Sequence, residues 1–243
     1  MKYPKILSIG DPLLKNLFEG EVNIEEKIDG SQFRVWFDSE GKIWFGSKAV
    51  NYNDENPIDK GFILAVSQAQ KHFLNKEYKN MFFVFEYLVK RKQNTLMYLR
   101  TPKDNLILLD IMRDNTYLNY EDKCKISKEL DFEVVPLLKS SEIKNVDEFK
   151  ELLKIESCLG NCIIEGIVIK NYNQFHSLPY LLGMPVFGKY VREEFKELLK
   201  KEGVHRIIAV EPDQLVIKGD NNKAEEFINY SQVKGILVLT LYK

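Results

Sequence analysis

The chain has 243 residues and a formal net charge of −1, which suits one large domain or one domain with a small appendage. Its hydrophobic fraction of 44% is typical of a globular protein, and no apolar run reaches the roughly 18–20 residues that a membrane span needs. The first residues also lack the apolar stretch of a signal peptide. We therefore expect a soluble protein without a membrane partner, located in the cytoplasm of a bacterium or a phage-infected host.

The cysteines are few and odd in number: Cys124, Cys158 and Cys162. Such a set argues against a disulfide framework. Cys158 and Cys162 have no second cysteine pair nearby, and the closest histidine is His176. We expect free thiols rather than a structural zinc site.

The first half of the chain predicts strands and one long helix. Alternating apolar residues and helical spacing predict the following elements: strands Phe33–Phe37 and Lys42–Phe45 joined by a turn at 38–41, a helix over Ile58–Tyr78, and buried strands Met81–Leu88 and Leu106–Met112.

The second half mixes both element types. The pattern predicts helices Tyr120–Leu130, Val146–Ile155 and Glu193–Lys201, and strands Glu133–Leu138, Cys162–Lys170 and Val186–Val191. Beyond these it predicts a hairpin of Arg206–Val210 and Gln214–Lys218, a helix Lys223–Tyr230 and a strand Gly235–Tyr242. We expect an α+β fold with mainly antiparallel sheets, divided into a domain of residues 1–201 and a small α+β appendage of residues 202–243.

The first chemical motif is Glu26-Lys27-Ile28-Asp29-Gly30, immediately before the first predicted hairpin. A lysine on a short connection between strands can project its amine into a cleft and act as a nucleophile when neighbouring cations and burial favour its neutral form. Asp29 can orient that amine, and Gly30 lets the backbone pass close to a ligand. Alone, this short pattern favours a solvated Lys–Asp turn.

Two acidic residues begin or interrupt apolar strands. Glu165 opens the run Glu165-Gly166-Ile167-Val168-Ile169-Lys170, in which Lys170 shares a face with Gly166 and Val168. Glu86 lies inside an aromatic strand, where a buried carboxylate needs an ion-pair partner or a metal ion. Charged strand ends and a structural salt bridge are the alternative interpretations.

A basic stretch lies between Tyr87 and Lys103. It contains five cations and no acid: Lys90, Arg91, Lys92, Arg100 and Lys103. Basic residues interleaved with aromatic ones can follow a phosphate backbone. Composition alone favours a solvated loop.

The order of these motifs resembles that of the covalent nucleotidyltransferases, which include ATP-dependent polynucleotide ligases and mRNA capping enzymes. The closest resemblance, over Val22 to Lys196, is to RNA ligases of the bacteriophage type that seal nicks in duplex RNA. Two further segments support it. Residues 107–111 resemble the nucleotide-pocket strand, and Lys189 in Gly188-Lys189-Tyr190-Val191-Arg192 resembles the last motif.

Three positions depart from the family pattern. Lys48 stands where an arginine is usual, and it lacks the bidentate guanidinium. Leu108 and Leu109 stand where an aromatic residue often stacks on adenine. Val191 replaces the second lysine of the last motif, so that Arg192 is the nearest substitute.

The resemblance implies an ATP-dependent RNA ligase with a nucleotidyltransferase (ligase adenylation) domain. Lys27 would carry AMP, and Glu26, Asp29 and Gly30 would flank the nucleotide. Glu86 and Glu165 would hold Mg²⁺, or Mn²⁺ in its place. The phosphates would be neutralised by the remaining cations of the motifs: Lys48, Lys170, Lys189 and Arg192. The partners would be RNA ends in a nicked duplex or in broken structured RNA, as in RNA repair.

Two alternatives remain open. A DNA ligase or capping enzyme shares the lysine chemistry, but usually carries an oligonucleotide-binding barrel after the last motif, and the residues after Lys201 are too few for a typical one. A non-catalytic relative that binds nucleotide or RNA would account for the departures at Lys48, Leu109 and Val191.

Overall fold

The computed structural model describes residues 3–89, 95–145, 147–176 and 183–195, and three further strands between 206 and 229. The chain divides into two compact units, Met1–Arg192 and Glu193–Lys243. The predicted boundary near residue 201 lies outside the described residues, so the division into 1–201 and 202–243 stays a prediction.

The first unit contains eleven described strands and three described α-helices. In chain order the strands are β1 (Leu7–Ser8), β2 (Glu21–Lys27), β3 (Ser31–Phe37), β4 (Ile43–Ser47), β5 (Met81–Tyr87), β6 (Leu106–Arg113), β7 (Thr116–Tyr117), β8 (Glu133–Val134), β9 (Leu137–Glu142), β10 (Gly166–Phe175) and β11 (Pro185–Val191). The helices are α1 (Ile63–Phe73), α2 (Tyr120–Glu129) and α3 (Asp147–Lys150). Short 3₁₀ turns occur at Pro12–Leu14, Lys60–Phe62, Lys103–Asn105 and Glu151–Lys154.

These strands form two sheets. Sheet I has the order β1-β11-β10-β2-β9, and sheet II has the order β4-β3-β5-β6-β7, with β8 also paired to β6. The pairs β1–β11 and β6–β8 are parallel, whereas the other described pairs of this unit are antiparallel. The expected α+β class with mainly antiparallel sheets is confirmed.

Three apolar cores hold the layers together. Helix α1 packs on the outer face of sheet II around aromatic residues that include Phe33, Phe83 and Phe85. A second core covers the outer face of sheet I and includes Ile24 and Ile169. The third lies between the sheets, where Phe82 and Val84 of β5 meet Phe187 of β11.

Strand alternation decides which polar residues face the space between the sheets. In β2, Val22 and Ile24 enter the outer core of sheet I, so Glu25 and Lys27 point the other way. In β5, Glu86 shares a face with Phe82 and Val84. The polar residues of the candidate site therefore converge between the two sheets.

Several predicted elements are confirmed with shifted ends. The hairpin is formed by β3 and β4, and the strands predicted at Met81, Leu106 and Val186 correspond to β5, β6 and β11. The long helix shrinks to α1, and the helix predicted after Val146 is α3 followed by a 3₁₀ turn. The strand predicted from Cys162 begins only at Gly166 and continues to Phe175.

Two element predictions are wrong. The strand Glu133–Leu138 is broken at Pro136, which lacks an N–H for a ladder. Strand β8 thus pairs with β6 in sheet II, while β9 pairs with β2 in sheet I. The helix predicted at Lys223–Tyr230 contains the strand Glu225–Asn229 instead, because so short a segment does not distinguish helix from strand by periodicity.

The second unit contains a three-stranded antiparallel sheet of β12 (Arg206–Glu211), β13 (Gln214–Lys218) and β14 (Glu225–Asn229). The predicted hairpin corresponds to β12 and β13. The predicted strand Gly235–Tyr242 and the end of the helix predicted from Glu193 lie outside the described residues. In the described part of the chain, no helix combines the length and apolar character needed to traverse a lipid bilayer.

Candidate active site

A cavity of about 270 Å³ lies between the two sheets. Its wall is formed by both sheets and by the N-terminal segment. Six of the side chains that line it are Lys5, Lys27, Lys48, Glu86, Leu109 and Lys189. Four of these six are residues that the motifs singled out for catalysis, metal binding or phosphate binding.

The most direct contact at the site joins Lys27 to Glu165. Lys27 ends β2, Glu165 immediately precedes β10, and Nζ lies 2.7 Å from Oε2. Gly166 lies opposite Lys27 in the ladder, and it lets β11 pack closely against β10, because a Cβ there would lie 2.1 Å from the Tyr190 carbonyl oxygen. Burial raises the pKa of Glu165, although the Lys27 charge opposes the shift. Lys27 keeps 24% of its side chain exposed, so a substrate can reach the amine.

Glu86 occupies the opposite wall of the cavity, on β5. Burial raises its pKa to about 8, the charges of Glu165 and Asp29 add to the rise, and Lys27 opposes it. Within the described residues Glu86 forms no ion pair, since Lys27 pairs with Glu165 instead. A half-buried carboxyl without a cation is destabilised in its ionised form, so Glu86 is suited to bind a cation that enters the cavity.

Asp29 and Gly30 follow Lys27 directly, and each contacts another segment of the first unit. The Asp29 carboxylate accepts a hydrogen bond from the Leu96 amide at 2.9 Å, and the Asp29 amide donates to the Tyr98 hydroxyl at 2.8 Å. Asp29 thus anchors the segment around Leu96, and the hydrogen bond that orients the Lys27 amine comes from Glu165. A Cβ on Gly30 would lie 2.8 Å from Glu86 Cγ, so Gly30 allows close approach to β5.

Glu26 is one of the residues that line the cavity, but its carboxylate is bound to another segment. It accepts hydrogen bonds from the Ser157 hydroxyl and from the Cys158 amide, the latter at 3.0 Å. Glu26 fixes the loop that precedes Glu165, and its role in nucleotide binding stays a prediction.

Two further cations line the cavity. Lys48 follows the end of β4, and Lys189 on β11 lies opposite Val168 of β10. Burial lowers the pKa of Lys189, and the positive charge of Lys27 lowers it further. In the described parts of the chain neither lysine takes part in a salt bridge, which leaves both amines able to bind an anion.

Arg192 and Lys170 do not line the cavity wall. Arg192 donates hydrogen bonds to the carbonyls of Ile163 and Ile164. Lys170, which we expected to face the phosphates, is only 2% exposed. It lies on the predicted face, but is four residues further along β10 than Gly166, beyond the cavity.

Lys170 belongs to a buried charge cluster, defined as Glu25, Asp110, Lys123 and Lys170. Lys170 Nζ lies 2.8 Å from Glu25 Oε2 and 2.5 Å from Asp110 Oδ1. Lys123 Nζ lies 2.8 Å from Glu25 Oε1. The sequence motifs did not predict this cluster. The one signal for it was Glu25, an acidic residue two positions before Lys27 and on the same face of the strand.

The buried charge cluster also holds Leu109 in place. A β-bulge between Val84 and Phe85 of β5 leaves Leu109 of β6 without a directly opposed residue. Its carbonyl accepts hydrogen bonds from Lys123 at 2.9 Å and Lys170 at 3.0 Å. Of the two leucines that replace the expected aromatic residue, Leu109 lines the cavity and Leu108 lies in the α1 core.

The basic stretch is partly neutralised. Arg100 makes a bidentate pair with Glu133, at 2.8 and 2.9 Å, and Lys103 pairs with Asp131. Residues 90–94, which include Lys90, Arg91 and Lys92, lie outside the described residues. RNA contact by this stretch stays a prediction.

The donor set agrees with Mg²⁺ bound together with a nucleotide. The described residues contain no group of three or more His, Cys, Asp or Glu side chains arranged to hold a metal ion. Mg²⁺ commonly takes only one or two carboxylates and completes its shell with phosphate and water oxygens. Glu86, which lines the cavity and has no cation partner in the described structure, fits that requirement. The three cysteines are free thiols.

Comparisons with known proteins give one family and one fold. The sequence model of the RNA ligase family matches residues 20–191, whereas curated protein sequences gave no significant match. Naegleria gruberi RNA ligase with pyrophosphate matches with a TM-score of 0.60 and 17% identity, over 83% of this chain and 58% of that chain. A mutant of the same ligase with ATP and manganese matches with a TM-score of 0.59 and 16% identity, over 81% of this chain and 58% of that chain. Another mutant, with AMP and manganese, matches with a TM-score of 0.58 and 15% identity, over 83% of this chain and 59% of that chain.

At these identities the structural likeness shows the fold alone. The chain spans a little under three fifths of the length of the solved ligase that it matches.

Proposed function

Because the chain belongs to the RNA ligase family, we propose that it is an ATP-dependent ligase that joins the 3′-hydroxyl and 5′-phosphate of RNA ends through AMP bound to Lys27. One observation carries the proposal. The Lys27 amine lies 2.7 Å from Glu165 in a cavity that Lys48, Glu86 and Lys189 also line.

In the first step the Lys27 nitrogen attacks the α-phosphorus of ATP. The N–P bond forms as the P–O bond to pyrophosphate breaks. The amine must be neutral to attack, and Glu165 Oε2 lies within hydrogen-bond distance to accept its proton. The raised pKa of Glu165, which results from its burial, favours that transfer.

Negative charge gathers on the phosphate oxygens during this step, so fixed cations supply much of the catalysis. Lys48 and Lys189 are positioned on two walls of the cavity for that role. Glu86 would hold Mg²⁺ or Mn²⁺, with Glu165 as a second ligand until it accepts the Lys27 proton, and the ion would supply Lewis-acid neutralisation of the phosphates.

Two further transfers complete ligation. The 5′-phosphate of the RNA attacks the lysyl-bound AMP, which regenerates the Lys27 amine and forms an RNA-adenylate. The 3′-hydroxyl then attacks the 5′-phosphorus, and AMP leaves. In both transfers the phosphate of AMP lies in the same cavity, so that one set of cations serves all three steps.

Incubation with α-labelled ATP and, separately, with α-labelled GTP tests the first step. After denaturing electrophoresis the protein should retain label from ATP alone, and a 5′-phosphorylated RNA should remove it. Label from GTP would favour a capping-type enzyme. Nucleotide binding with no covalent label would favour a non-catalytic relative.

The preference for RNA needs its own test. A-form helices expose 2′-hydroxyls in a wide minor groove, so we expect a nicked duplex to be sealed, with recognition of ribose beside the 3′-hydroxyl. Replacing the terminal 3′-side ribonucleotides with deoxyribonucleotides should slow sealing at least about tenfold, or roughly 1.4 kcal/mol. The same change on the 5′-phosphate side should matter less. Equal sealing of an all-DNA nick would favour a DNA ligase.

A further inference from the structure

An N-terminal strap, defined as Tyr3–Ile6, forms part of the cavity wall. Pro4, Lys5 and Ile6 all line it, although they precede the region 20–191 that the family model matches. None of the motifs in the sequence pointed to this segment. The strap therefore adds to the site a lysine that is outside the matched family region.

The structure holds the strap at both ends. The Tyr3 hydroxyl donates a hydrogen bond to Asp110 of the buried charge cluster. After the strap, β1 pairs with β11, with Ser8 opposite Lys189, and the Ile9 amide donates to the Lys189 carbonyl at 2.9 Å. The strap is thus fixed beside the strand that carries Lys189.

The cavity has more positive than negative groups. Four lysines line it, Lys5, Lys27, Lys48 and Lys189, against the two carboxylates of Glu26 and Glu86. Lys27 is paired with Glu165, and Glu26 accepts hydrogen bonds from Ser157 and Cys158. Three lysines that form no salt bridge within the described residues remain: Lys5, Lys48 and Lys189. Their mutual repulsion favours an anion that carries several charges close together.

We propose that Lys5 binds the triphosphate of ATP and favours it over AMP. The inference rests on the proposed function, in which the α-phosphate lies at Lys27. The β- and γ-phosphates carry the charge that ATP has and AMP lacks, and three lysines surround the cavity to receive it. Lys5 is exposed on a fixed backbone, so its flexible side chain can reach the phosphates as they enter.

The test compares Lys5→Ala with Lys5→Arg and with Lys15→Ala, a matched control at another exposed lysine of the N-terminal region. Three quantities are measured: the binding ratio of a non-hydrolysable ATP analogue to AMP, the ATP dependence of lysyl–AMP formation, and the sealing of pre-adenylylated RNA. Denaturation midpoints check that each variant folds.

Lys5→Ala should lower the ATP-to-AMP binding ratio about fivefold, as expected for one partly exposed ionic contact. It should raise the KM for ATP by a similar factor and leave sealing of pre-adenylylated RNA unchanged. Lys5→Arg should restore most of the loss, and Lys15→Ala should behave like the wild type.

An unchanged binding ratio in Lys5→Ala would overturn the inference, and so would an equal loss in sealing of pre-adenylylated RNA. If the wild type formed no lysyl–AMP, the proposed function would fail by itself. The ATP-to-AMP binding ratio would still decide the role of Lys5.

Discussion

Two groups of lysines and carboxylates lie between the same two sheets, and they differ in pairing and access. In the buried charge cluster, Lys123 and Lys170 each contact a carboxylate and the Leu109 carbonyl, and every member is at most 2% exposed. The cavity group has one ion pair, between Lys27 and Glu165, and its other cations have no salt bridge in the described structure.

The comparison shows that residue type and strand face do not determine a role. Glu25 and Lys27 are two residues apart on one face of β2, yet Glu25 is sealed in the buried cluster and Lys27 opens to the cavity. Charges removed from water must be fully paired, because desolvation is costly. Charged groups beside a cavity stay partly hydrated and need not be paired within the protein, so a ligand can form ion pairs with them.

The largest effect should come from opening the buried cluster. Lys170→Met leaves Asp110 and part of Glu25 without their cation, and should cost about 3–5 kcal/mol of the free energy of unfolding. Lys48→Met, at the cavity, should leave stability nearly unchanged but reduce AMP attachment. Urea denaturation followed by fluorescence of Trp36 and Trp44 measures the stability of both variants, and covalent labelling with α-labelled ATP measures AMP attachment. Equal stability of the two variants would remove the distinction between the groups.

The second prediction concerns the carboxylates of the cavity. Glu86→Gln and Glu165→Gln keep the side-chain shape but remove the charge, and each should lower covalent AMP labelling at least about tenfold, roughly 1.4 kcal/mol. Folding should be preserved, and Glu55→Gln serves as a control at an exposed acid. Labelling like that of the wild type across a Mg²⁺ titration would show that the variant residue is not a ligand.

The third prediction follows from the pKa of Glu86. Burial raises it from 4.5 to about 8, so the folded, ligand-free protein binds more protons than the unfolded chain between these pH values. Its stability should therefore fall as pH rises through this window. Because the side chain is only half-buried, we expect a change on the order of 1–2 kcal/mol.

Denaturation at a series of pH values checks this, and Glu86→Gln should flatten the slope. If the stability of Glu86→Gln depended on pH as steeply as that of the wild type, a group other than Glu86 would be responsible for the titration. Mg²⁺ binds the ionised carboxylate, so the Mg²⁺ requirement for labelling should also increase as pH falls below about 8.

Local patterns in the sequence predicted much of this molecule. The aromatic alternation of β5 and the hairpin of β3 and β4 were identified because packing and turn chemistry are local. The order of the motifs assigned four residues from separate segments to one predicted site: Lys27, Lys48, Glu86 and Lys189. The structure brings these four residues to one cavity.

The remainder depends on contacts between distant segments. The partners of Lys170 follow from the bulge at Leu109 and from the packing of sheet I on sheet II. The division of a predicted strand at Pro136 depends on which sheet each half joins. Lys5 has no sequence signal, because only the pairing of β1 with β11 brings it to the cavity.

The Lys27 amine, the more exposed member of its ion pair, is the group that we propose accepts AMP. Protein incubated with ATP and Mg²⁺, digested and analysed by mass spectrometry should carry one adenylyl group on the peptide that contains Lys27. Lys27→Arg should fold with an unchanged denaturation midpoint and form no adduct, because a guanidinium keeps its proton. An adduct on Lys189 or Lys48, or normal labelling of Lys27→Arg, would contradict the account.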